Sequence, residues 1–438
     1  MNRLDPLRAV VLTVLLATAS GLSAATLVPV EAPSGAVSLA PRLASTEGSR
    51  AVLSWLDVTD TGHRFMLSEF DGGRFGPART VAEGDRFFAN WADTPGIQAG
   101  HQDLWLAHWL LRSGRGSYAY DIAMATSEDR GRTWSAPFSP HDDGTLTEHG
   151  FVSTYLDPES ESESGLGAVW LDGRETEPAA EDRPENHGAA HHHGSGSMTL
   201  RSAVVRFDGG IEGASLLDDR VCDCCSTDTA LTADGAVVVY RDRSVDEIRD
   251  IALIRRSEQG WSEPITVHPD GWRISACPVN GPAVLARGNR VMVAWFTMAE
   301  DLPRVRLALS DDGGRSFDQP ISLDPGIALG RVDLAWKGEQ FVLSWLAETA
   351  SGAALRIARF DAGGAMIDRH DLTTLDKGRI SGVPRLLGLG DDRLLLSWTE
   401  AAGEPARPRV RAGLVHFERI RADAAITDTA GESIQGHR

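Results

Sequence analysis

Ala-Val-Leu-Ser-Trp, at residues 51–55, is the first copy of a short apolar run that recurs along the chain and ends each time in an aromatic residue. The seven terminal aromatics are Trp55, Trp109, Trp170, Tyr240, Trp295, Trp345 and Trp398. Successive copies are 54, 61, 70, 55, 50 and 53 residues apart, which is regular except for one long interval. Short runs of this kind predict β-strands, and self-similarity at a fixed period predicts a repeat fold.

The residues around each copy define the repeating unit. Most copies follow another apolar segment and a Gly-containing turn, and alternating segments such as residues 304–309 come after them. A unit of about four antiparallel strands repeated around a ring is a β-propeller, so we predict an all-β fold of seven four-stranded blades, with a six-bladed ring as the alternative. The seventh copy runs out after residues 414–417, one strand short. We expect residues 26–31 to supply that strand, which closes the ring and covers its edge.

Composition limits the class of protein. The chain has 438 residues, 42% of them hydrophobic, and a formal net charge of −19 at pH 7. This hydrophobic content is typical of a folded protein and not of a disordered one. The acidic excess argues against nucleic acid and anionic membranes as partners. We expect a single propeller domain over residues 26–419, a loose tail over residues 420–438, and a monomer.

The N-terminus has the pattern of a secretory signal peptide. A basic start precedes an apolar stretch over residues 9–19, and the small residues Ser23 and Ala25 suit the −3 and −1 positions of a cleavage site. The stretch is too short to span a bilayer, and no later segment is apolar enough to do so. We therefore predict that residues 1–25 are removed and that the mature protein is periplasmic or secreted, without membrane insertion.

Two segments share the pattern Ser-x-Asp-x-Gly-x-Ser/Thr-aromatic. The first comprises Ser127, Asp129, Gly131, Thr133 and Trp134, and the second comprises Ser310, Asp312, Gly314, Ser316 and Phe317. We predict tight turns between the third and fourth strands of blades two and five. In such a turn the Ser and Asp side chains accept backbone N–H groups, Gly takes a positive φ, and the aromatic residue packs between sheets.

This pattern resembles the Asp-box, or bacterial neuraminidase (BNR), repeat of the sialidase superfamily. The resemblance covers most of the mature chain through the repeat, and it implies a propeller whose boxes are structural hairpins on the face away from the active site. Catalytic sialidases have six blades, an arginine triad, a Tyr/Glu pair with Tyr as nucleophile, and an Asp acid/base. The tyrosines here, Tyr118, Tyr120, Tyr155 and Tyr240, all precede the last three blades, where the family's nucleophile is found. The pattern thus differs from that of a standard sialidase.

The cysteines are concentrated in two places. Cys222, Cys224, Cys225 and Cys277 all precede the innermost strands of blades four and five, so we expect them to cluster near the mouth of the central channel. In an oxidising compartment, a Cys225–Cys277 disulfide would link neighbouring blades. Alternatively, three thiols within four residues form a soft metal site, with Cys222 and Cys224 on one side by strand alternation. Vicinal cysteines bridge each other poorly. For the metal interpretation we favour copper over zinc.

Histidines suggest further ligands. The long interval is explained by an insertion at residues 173–198, between the second and third strands of blade three. It contains Glu175, Glu177, Glu181, Asp182, Glu185, His187, His191, His192 and His193. Topology puts it on the same face as the cysteines, where its imidazoles could bind or deliver metal. The alternative is a solvated acidic loop. His149, before the innermost strand of blade three, is a single ligand candidate or a hydrogen-bonded core histidine.

Three arginines precede or enter successive innermost strands. Arg273, Arg331 and Arg379 could form an anion cradle for a carboxylate, sulfate or phosphate, or they could pair with acids at the rim of the ring. Those acids are Asp57, Asp172, Asp242 and Glu400, which follow the second-strand aromatics by two residues. We take the three arginines and Asp242 as the candidates for any catalysis.

These observations lead to three hypotheses. The leading one is an exported propeller that binds a soft metal ion, copper or zinc, through Cys222, Cys224, Cys225, Cys277 and His149. The second is a sialidase-type glycoside hydrolase acting on acidic glycans. The third is a disulfide-linked scaffold that binds a protein or a glycan.

Overall fold

The computed structural model describes residues 23–46, 50–100, 103–156, 165–176, 196–390 and 392–419. This part of the chain contains 28 β-strands and two short 3₁₀ helices. Within it, no helix is long and apolar enough to cross a membrane. Most of the predicted signal peptide and the predicted C-terminal tail lie outside the described residues, and so do residues 177–195 of the insertion.

The strands form seven antiparallel blades, which confirms the seven-bladed propeller and not the six-bladed ring. Blades one to three contain β2 (Ser38–Thr46), β3 (Arg50–Thr59), β4 (Gly62–Phe70) and β5 (Arg79–Gly84); β6 (Gly96–Ala99), β7 (Trp105–Arg112) and β8 (Tyr120–Ser127); and β9 (His149–Leu156), β10 (Gly165–Asp172), β11 (Thr199–Arg206) and β12 (Ile211–Asp218). Blade two gains its fourth edge from an isolated bridge between Met124 and Phe138.

Blades four to seven complete the ring. They contain β13 (Asp228–Thr232), β14 (Gly235–Arg241), β15 (Ile251–Ser257), β16 (Gly260–Trp261) and β17 (Ile265–His268); β18 (Ala283–Arg287), β19 (Arg290–Thr297), β20 (Arg304–Ser310) and β21 (Ile321–Leu323); β22 (Ala328–Lys337), β23 (Gln340–Thr349), β24 (Gly352–Phe360) and β25 (Met366–Leu375); and β26 (Arg385–Gly388), β27 (Leu394–Ala402), β28 (Arg407–Arg419) and β1 (Ser23–Val30). In blade four both β16 and β17 pair with β15.

Ring closure follows the prediction. The N-terminal strand β1 pairs antiparallel with β28, so that Ser23 faces Arg419 and Val30 faces Ala412. Blade seven is thereby built from both ends of the chain, and its outer edge is covered by β1. The innermost strands β2 and β26 are also in contact, which joins blades one and seven at the channel.

The repeated aromatic residues all lie on the second strands of the blades and are at most 7% exposed. Such burial requires a partner for the indole N–H, and rim acids supply it. Trp55 donates to Asp57 at 2.8 Å, and Trp170 donates to Asp172 at 2.8 Å. Two of the acids that the sequence offered as arginine partners therefore also accept hydrogen bonds from the tryptophan two residues earlier.

The two predicted tight turns have the expected hydrogen bonds. In the first, Gly131 N–H donates to Ser127 Oγ at 2.8 Å, and Asp129 accepts from Thr133 N at 2.8 Å. Gly131 has a φ of 70°. The hydrogen bonds from the Thr133 backbone and hydroxyl lower the pKa of Asp129 to about 2. Local side-chain to backbone bonding therefore accounts for this motif without a ligand.

Candidate functional site

A cavity lies at the channel mouth, where the segments that lead into several innermost strands converge. Its lining residues are Ala92, Cys224, Ser226, Val279, Asn280, Gly281, Pro282, Arg331, Val332, Val383 and Arg385. They come from blades two, four, five, six and seven. The lining joins one cysteine and two arginines, and it contains no carboxylate residue among the described part of the chain.

The four cysteines cluster beside this cavity, as expected. Cys224 forms a disulfide with Cys277, with Cα atoms 5.9 Å apart. Cys222 and Cys225 are free thiols, each 1% exposed, and their Sγ atoms are 2.9 Å apart. The Sγ atoms of Cys222, Cys224 and Cys225 all lie within 4.8 Å of one another.

The predicted Cys225–Cys277 disulfide is wrong, because Cys224 is the partner of Cys277. The expectation rested on strand alternation, but Asp223 and Cys224 form a turn ahead of β13. This turn brings Cys222 and Cys225 together in the protein interior and leaves Cys224 facing the cavity. Two of the four predicted metal ligands are thus used in a covalent bond.

The charges around the free thiols favour one thiolate. Burial would raise the pKa of Cys225, but the Cys222 thiol that donates to it, Arg241, the backbone N–H of Asn280 and Arg249 together lower that pKa to about 7. Burial and the Cys225 sulfur hold the pKa of Cys222 well above its usual value. Arg249 Nη1 lies 3.4 Å from Cys222 Sγ. Near neutral pH the pair therefore holds one proton and one negative charge.

We expect the Cys224–Cys277 disulfide to contribute measurably to stability. It closes a loop of 53 residues, so the double variant Cys224→Ser/Cys277→Ser should lose about 2–4 kcal/mol of unfolding free energy in urea titrations. The exposed neighbour Ser275→Ala is the control and should change stability little. The denatured, unreduced parent should show two free thiols. Four free thiols, with equal stability of the double variant, would contradict the pairing.

Only one of the three predicted arginines lines the cavity. Arg331 stacks over the Trp91 ring at 4.8 Å, and its guanidinium donates to Ser381 Oγ at 2.8 Å and to the backbone oxygens of Gly378 and Gly382. Burial lowers the pKa of Arg331 to about 10. Arg273 and Arg379 are exposed and do not contribute to the lining. The structure does not bring the three together in the cavity.

The backbone explains how Arg331 is aimed. Arg331 has a φ of 58°, within the strand β22, and its N–H donates to Asn280 Oδ1 at 2.8 Å. The preceding Gly330 also has a positive φ, and a Cβ there would stand 2.2 Å from the same Asn280 oxygen. A glycine is therefore required where the bulge in β22 approaches Asn280.

Asp242, the predicted catalytic carboxylate, lies outside the cavity lining. Burial, and the nearby carboxylates of Asp218, Asp250 and Asp219, raise its pKa to about 6. Its own partner is the backbone N–H of Arg243, at 2.6 Å. Asp242 therefore has a perturbed pKa, but its position gives it no contact with the cavity.

A buried tyrosine and glutamate also pair with each other. The Tyr120 hydroxyl donates to Glu148 Oε1, and the two residues are 1% and 7% exposed. Burial raises the pKa of Glu148 to about 8. Burial also raises the pKa of Asp93, next to Ala92, to about 7. Because Tyr120 is stacked under Phe88 with ring centroids 4.0 Å apart, this pair has no room for a substrate.

His149 lies in a cluster separate from the cysteines. Its ring is 0% exposed and lies near the carboxylates of Asp121, Asp143 and Asp172. Burial lowers the pKa of His149, but these carboxylates raise it above its ordinary value. The His141 ring stacks on that of His149, with centroids 3.9 Å apart. The predicted joint site of His149 with the thiols is therefore not formed among the described residues, because His149 faces the rim between blades two and three.

Sequence reasoning missed several residues that matter here. Arg241 and Arg249 lie beside the thiols, and the charged run at residues 241–250 was the available signal. Arg385 is the second arginine of the cavity. His141 and Asp143 stand in a loop with no repeat pattern, so no sequence signal distinguished them. Of the insertion, the predicted His187, His191, His192 and His193 lie outside the described residues.

No family model matches the chain, and no curated protein matches its sequence. Among solved structures, it is similar to a protein of unknown function from Dyadobacter fermentans, with a TM-score of 0.50 and 11% identity over 90% of this chain and 98% of that one. The K499G mutant of NanB sialidase from Streptococcus pneumoniae has a TM-score of 0.45 and 9% identity over 85% and 83% of the two chains. An α-L-arabinofuranosidase mutant from Fusarium graminearum has 0.44 and 14% over 90% and 98%. At these identities the likeness concerns the fold alone.

Proposed function

We propose that this propeller binds a soft metal ion, Cu(I) in preference to zinc, through the thiols of Cys222 and Cys225 beside the channel mouth. The observation that carries the proposal is a pair of reduced, buried thiols 2.9 Å apart, one of which has a pKa lowered to about 7. Metals bind the thiolate form of cysteine, and thiolates select soft ions.

The number of available donors favours Cu(I). Structural zinc takes four ligands, whereas Cu(I) is satisfied by two thiolates. Cys224 is bonded to Cys277, and the carboxylate of Asp223 is 3.2 Å from Arg243 and 3.6 Å from Arg249. Two thiols are therefore the donors left in this cluster.

Nearby charge supports the same ion. Two thiolates around Cu(I) carry a net charge of −1, and buried charge is costly unless it is compensated. Arg249 lies 3.4 Å from Cys222 Sγ, and Arg241 lowers the pKa of Cys225. These guanidinium groups offset the remaining negative charge without competing as ligands. Cys224 connects the pair to the cavity, from which an ion would enter.

The test is an anaerobic Cu(I) titration against a chromophoric Cu(I) chelator, in ascorbate, on protein with two free thiols per chain. The parent should bind one Cu(I), and Cys222→Ser and Cys225→Ser should each lose it. The matched control is Cys224→Ser/Cys277→Ser, which removes the other two sulfurs and should retain the ion. A parent that binds no more Cu(I) than Cys222→Ser/Cys225→Ser would overturn the proposal.

The cavity favours a second candidate, the binding of an acidic ligand such as a glycan carboxylate. Arg331 contacts only neutral groups, and the buried Nε of Arg385 has no hydrogen-bond partner among the described residues. An anion would compensate this positive charge. Sialidase-type turnover would also need a carboxylic acid at the ligand, and the lining includes none. A screen of acidic glycosides for binding and for hydrolysis separates the two activities.

A further inference from the structure

A second cluster of metal-ligating side chains surrounds His149, the first residue of β9. The imidazole is 0% exposed, and neither ring nitrogen has a hydrogen-bond partner in the described part of the chain. A buried polar group without a partner costs about 1–3 kcal/mol, so such groups in a folded protein call for an explanation. A bound ion is one such explanation.

The oxygens nearest to His149 all belong to carboxylates. Asp121 Oδ1 lies 3.5 Å from Nδ1, whereas Asp143 Oδ2 and Asp172 Oδ1 lie 3.2 and 3.6 Å from Nε2. The carboxylates come from β8, from the loop before β9 and from the end of β10. One ligand atom each from Asp143, His149 and Asp172 lies within 4.8 Å of the others. Ligands around one small ion have this spacing.

Other residues already orient these carboxylates. Trp170 Nε1 donates to Asp172 Oδ2 at 2.8 Å, and Thr145 N donates to Asp143 Oδ1 at 3.0 Å. His141 Nδ1 lies 3.1 Å from Asp143 Oδ2. Metal sites depend on partners of this kind, which hold the ligands in place before the ion binds.

We propose that His149 Nε2, Asp143 and Asp172 bind a divalent transition-metal ion such as Zn²⁺, with Asp121 as the positioning residue that accepts the Nδ1–H of His149. Imidazole and carboxylate are the donors that zinc takes in open sites with three protein ligands. A ligating histidine commonly donates its other N–H to a carboxylate, and Asp121 stands at that nitrogen. No cysteine takes part, so this site is independent of the proposed Cu(I) site.

Arg174 occupies the position of a cation in the metal-free protein. Its Nε lies 2.7 Å from Asp172 Oδ1, and its Nη2 lies 3.3 Å from Asp143 Oδ2. The Arg174 side chain is 22% exposed, whereas that of Asp172 is 0% exposed. The arginine can therefore turn toward solvent when an ion binds. Arg174→Gln should consequently bind zinc more tightly than the parent.

The test is a Zn²⁺ titration at pH 8 by competition with a chromophoric chelator, in the Cys222→Ser/Cys225→Ser background, which removes the free thiols. The background protein should bind one Zn²⁺, and His149→Gln should lose it. Asp121→Asn should weaken the Kd by about 10–100-fold, the range seen when a partner of a ligating histidine is lost. His268→Gln is the matched control, because His268 is paired with Asp270 at 2.9 Å in blade four and should bind zinc normally.

Each outcome decides the proposal. Failure of the background protein to bind zinc would overturn it, and so would equal binding by His149→Gln. If His149→Gln does not fold, Asp143→Asn in the loop before β9 takes its place and must also lose the ion. Substitution with Co²⁺ gives a second readout, since a visible absorption band present in the background protein and absent from the variant reports ligation directly.

Discussion

Arg241→Met should lower the unfolding free energy by about 3–5 kcal/mol, because it leaves buried backbone oxygens without donors. Arg241 ends β14 and is 1% exposed. Its guanidinium donates to Arg249 O at 2.7 Å, to Phe296 O at 2.7 Å and to Asn280 O at 2.9 Å. One side chain thus joins blade four to the end of β19 and to the segment that leads into β18. The measurement is urea unfolding followed by tryptophan fluorescence.

A matched control separates this effect from the general cost of losing an arginine. Arg287 also lies over a tryptophan, Trp336, and donates to Gly338 O at 3.0 Å. Its side chain is 46% exposed, so water replaces the lost hydrogen bond and Arg287→Met should cost less than about 1 kcal/mol. Arg241→Lys should fall between the two, because lysine retains the charge but not the planar fork. Equal costs for Arg241→Met and Arg287→Met would contradict the role of the buried guanidinium.

Cys225 should titrate as a thiolate with a midpoint of about 7, observed as an increase in absorbance at 240 nm in protein with two free thiols. The Cys222 thiol, Arg241, the Asn280 N–H and Arg249 outweigh the opposing effect of burial. At pH 8 Cys225 should therefore hold about tenfold more thiolate than a thiol with an ordinary pKa near 9. Cys225→Ser should abolish the transition, and Cys222→Ser should move it to higher pH.

The same shift has a defined effect on stability. Because the pKa of Cys225 is lower in the folded than in the unfolded protein, its contribution is fully present above pH 9 and is lost as the pH falls through 7. Unfolding free energy should therefore increase between pH 7 and 9 in the parent relative to Cys225→Ser. A flat absorbance at 240 nm from pH 5 to 8.5, with two free thiols present, would contradict the predicted thiolate.

The comparison of sequence and structure has a physical pattern. The strands that end in Trp55, Trp295 and Trp345 were predictable because each blade repeats the same local arrangement, and the buried indole recurs with it. The tight turn at Ser127 was predictable because its hydrogen bonds join residues at most four positions apart. The closure by β1 followed from counting strands, since an unpaired edge is unfavourable.

The sites were less predictable, because they depend on how side chains from different blades meet. The sequence indicated that the cysteines would gather at blades four and five, but not that a turn would place Cys224 opposite Cys277 and Cys225 against Cys222. Likewise it indicated a cradle of arginines, yet Arg273 and Arg379 point to solvent.

By itself, then, the sequence determined the all-β class, the number of blades, the closing strand and the two turns. Each of these arises from interactions within one repeat or from the periodicity of the repeats. The tertiary structure alone decided the disulfide partner, the burial of Arg241 and the grouping of His149 with Asp121, Asp143 and Asp172. The reason is that these contacts join loops and strand ends of non-repeating sequence, whose side-chain directions are set only when the blades pack around the channel.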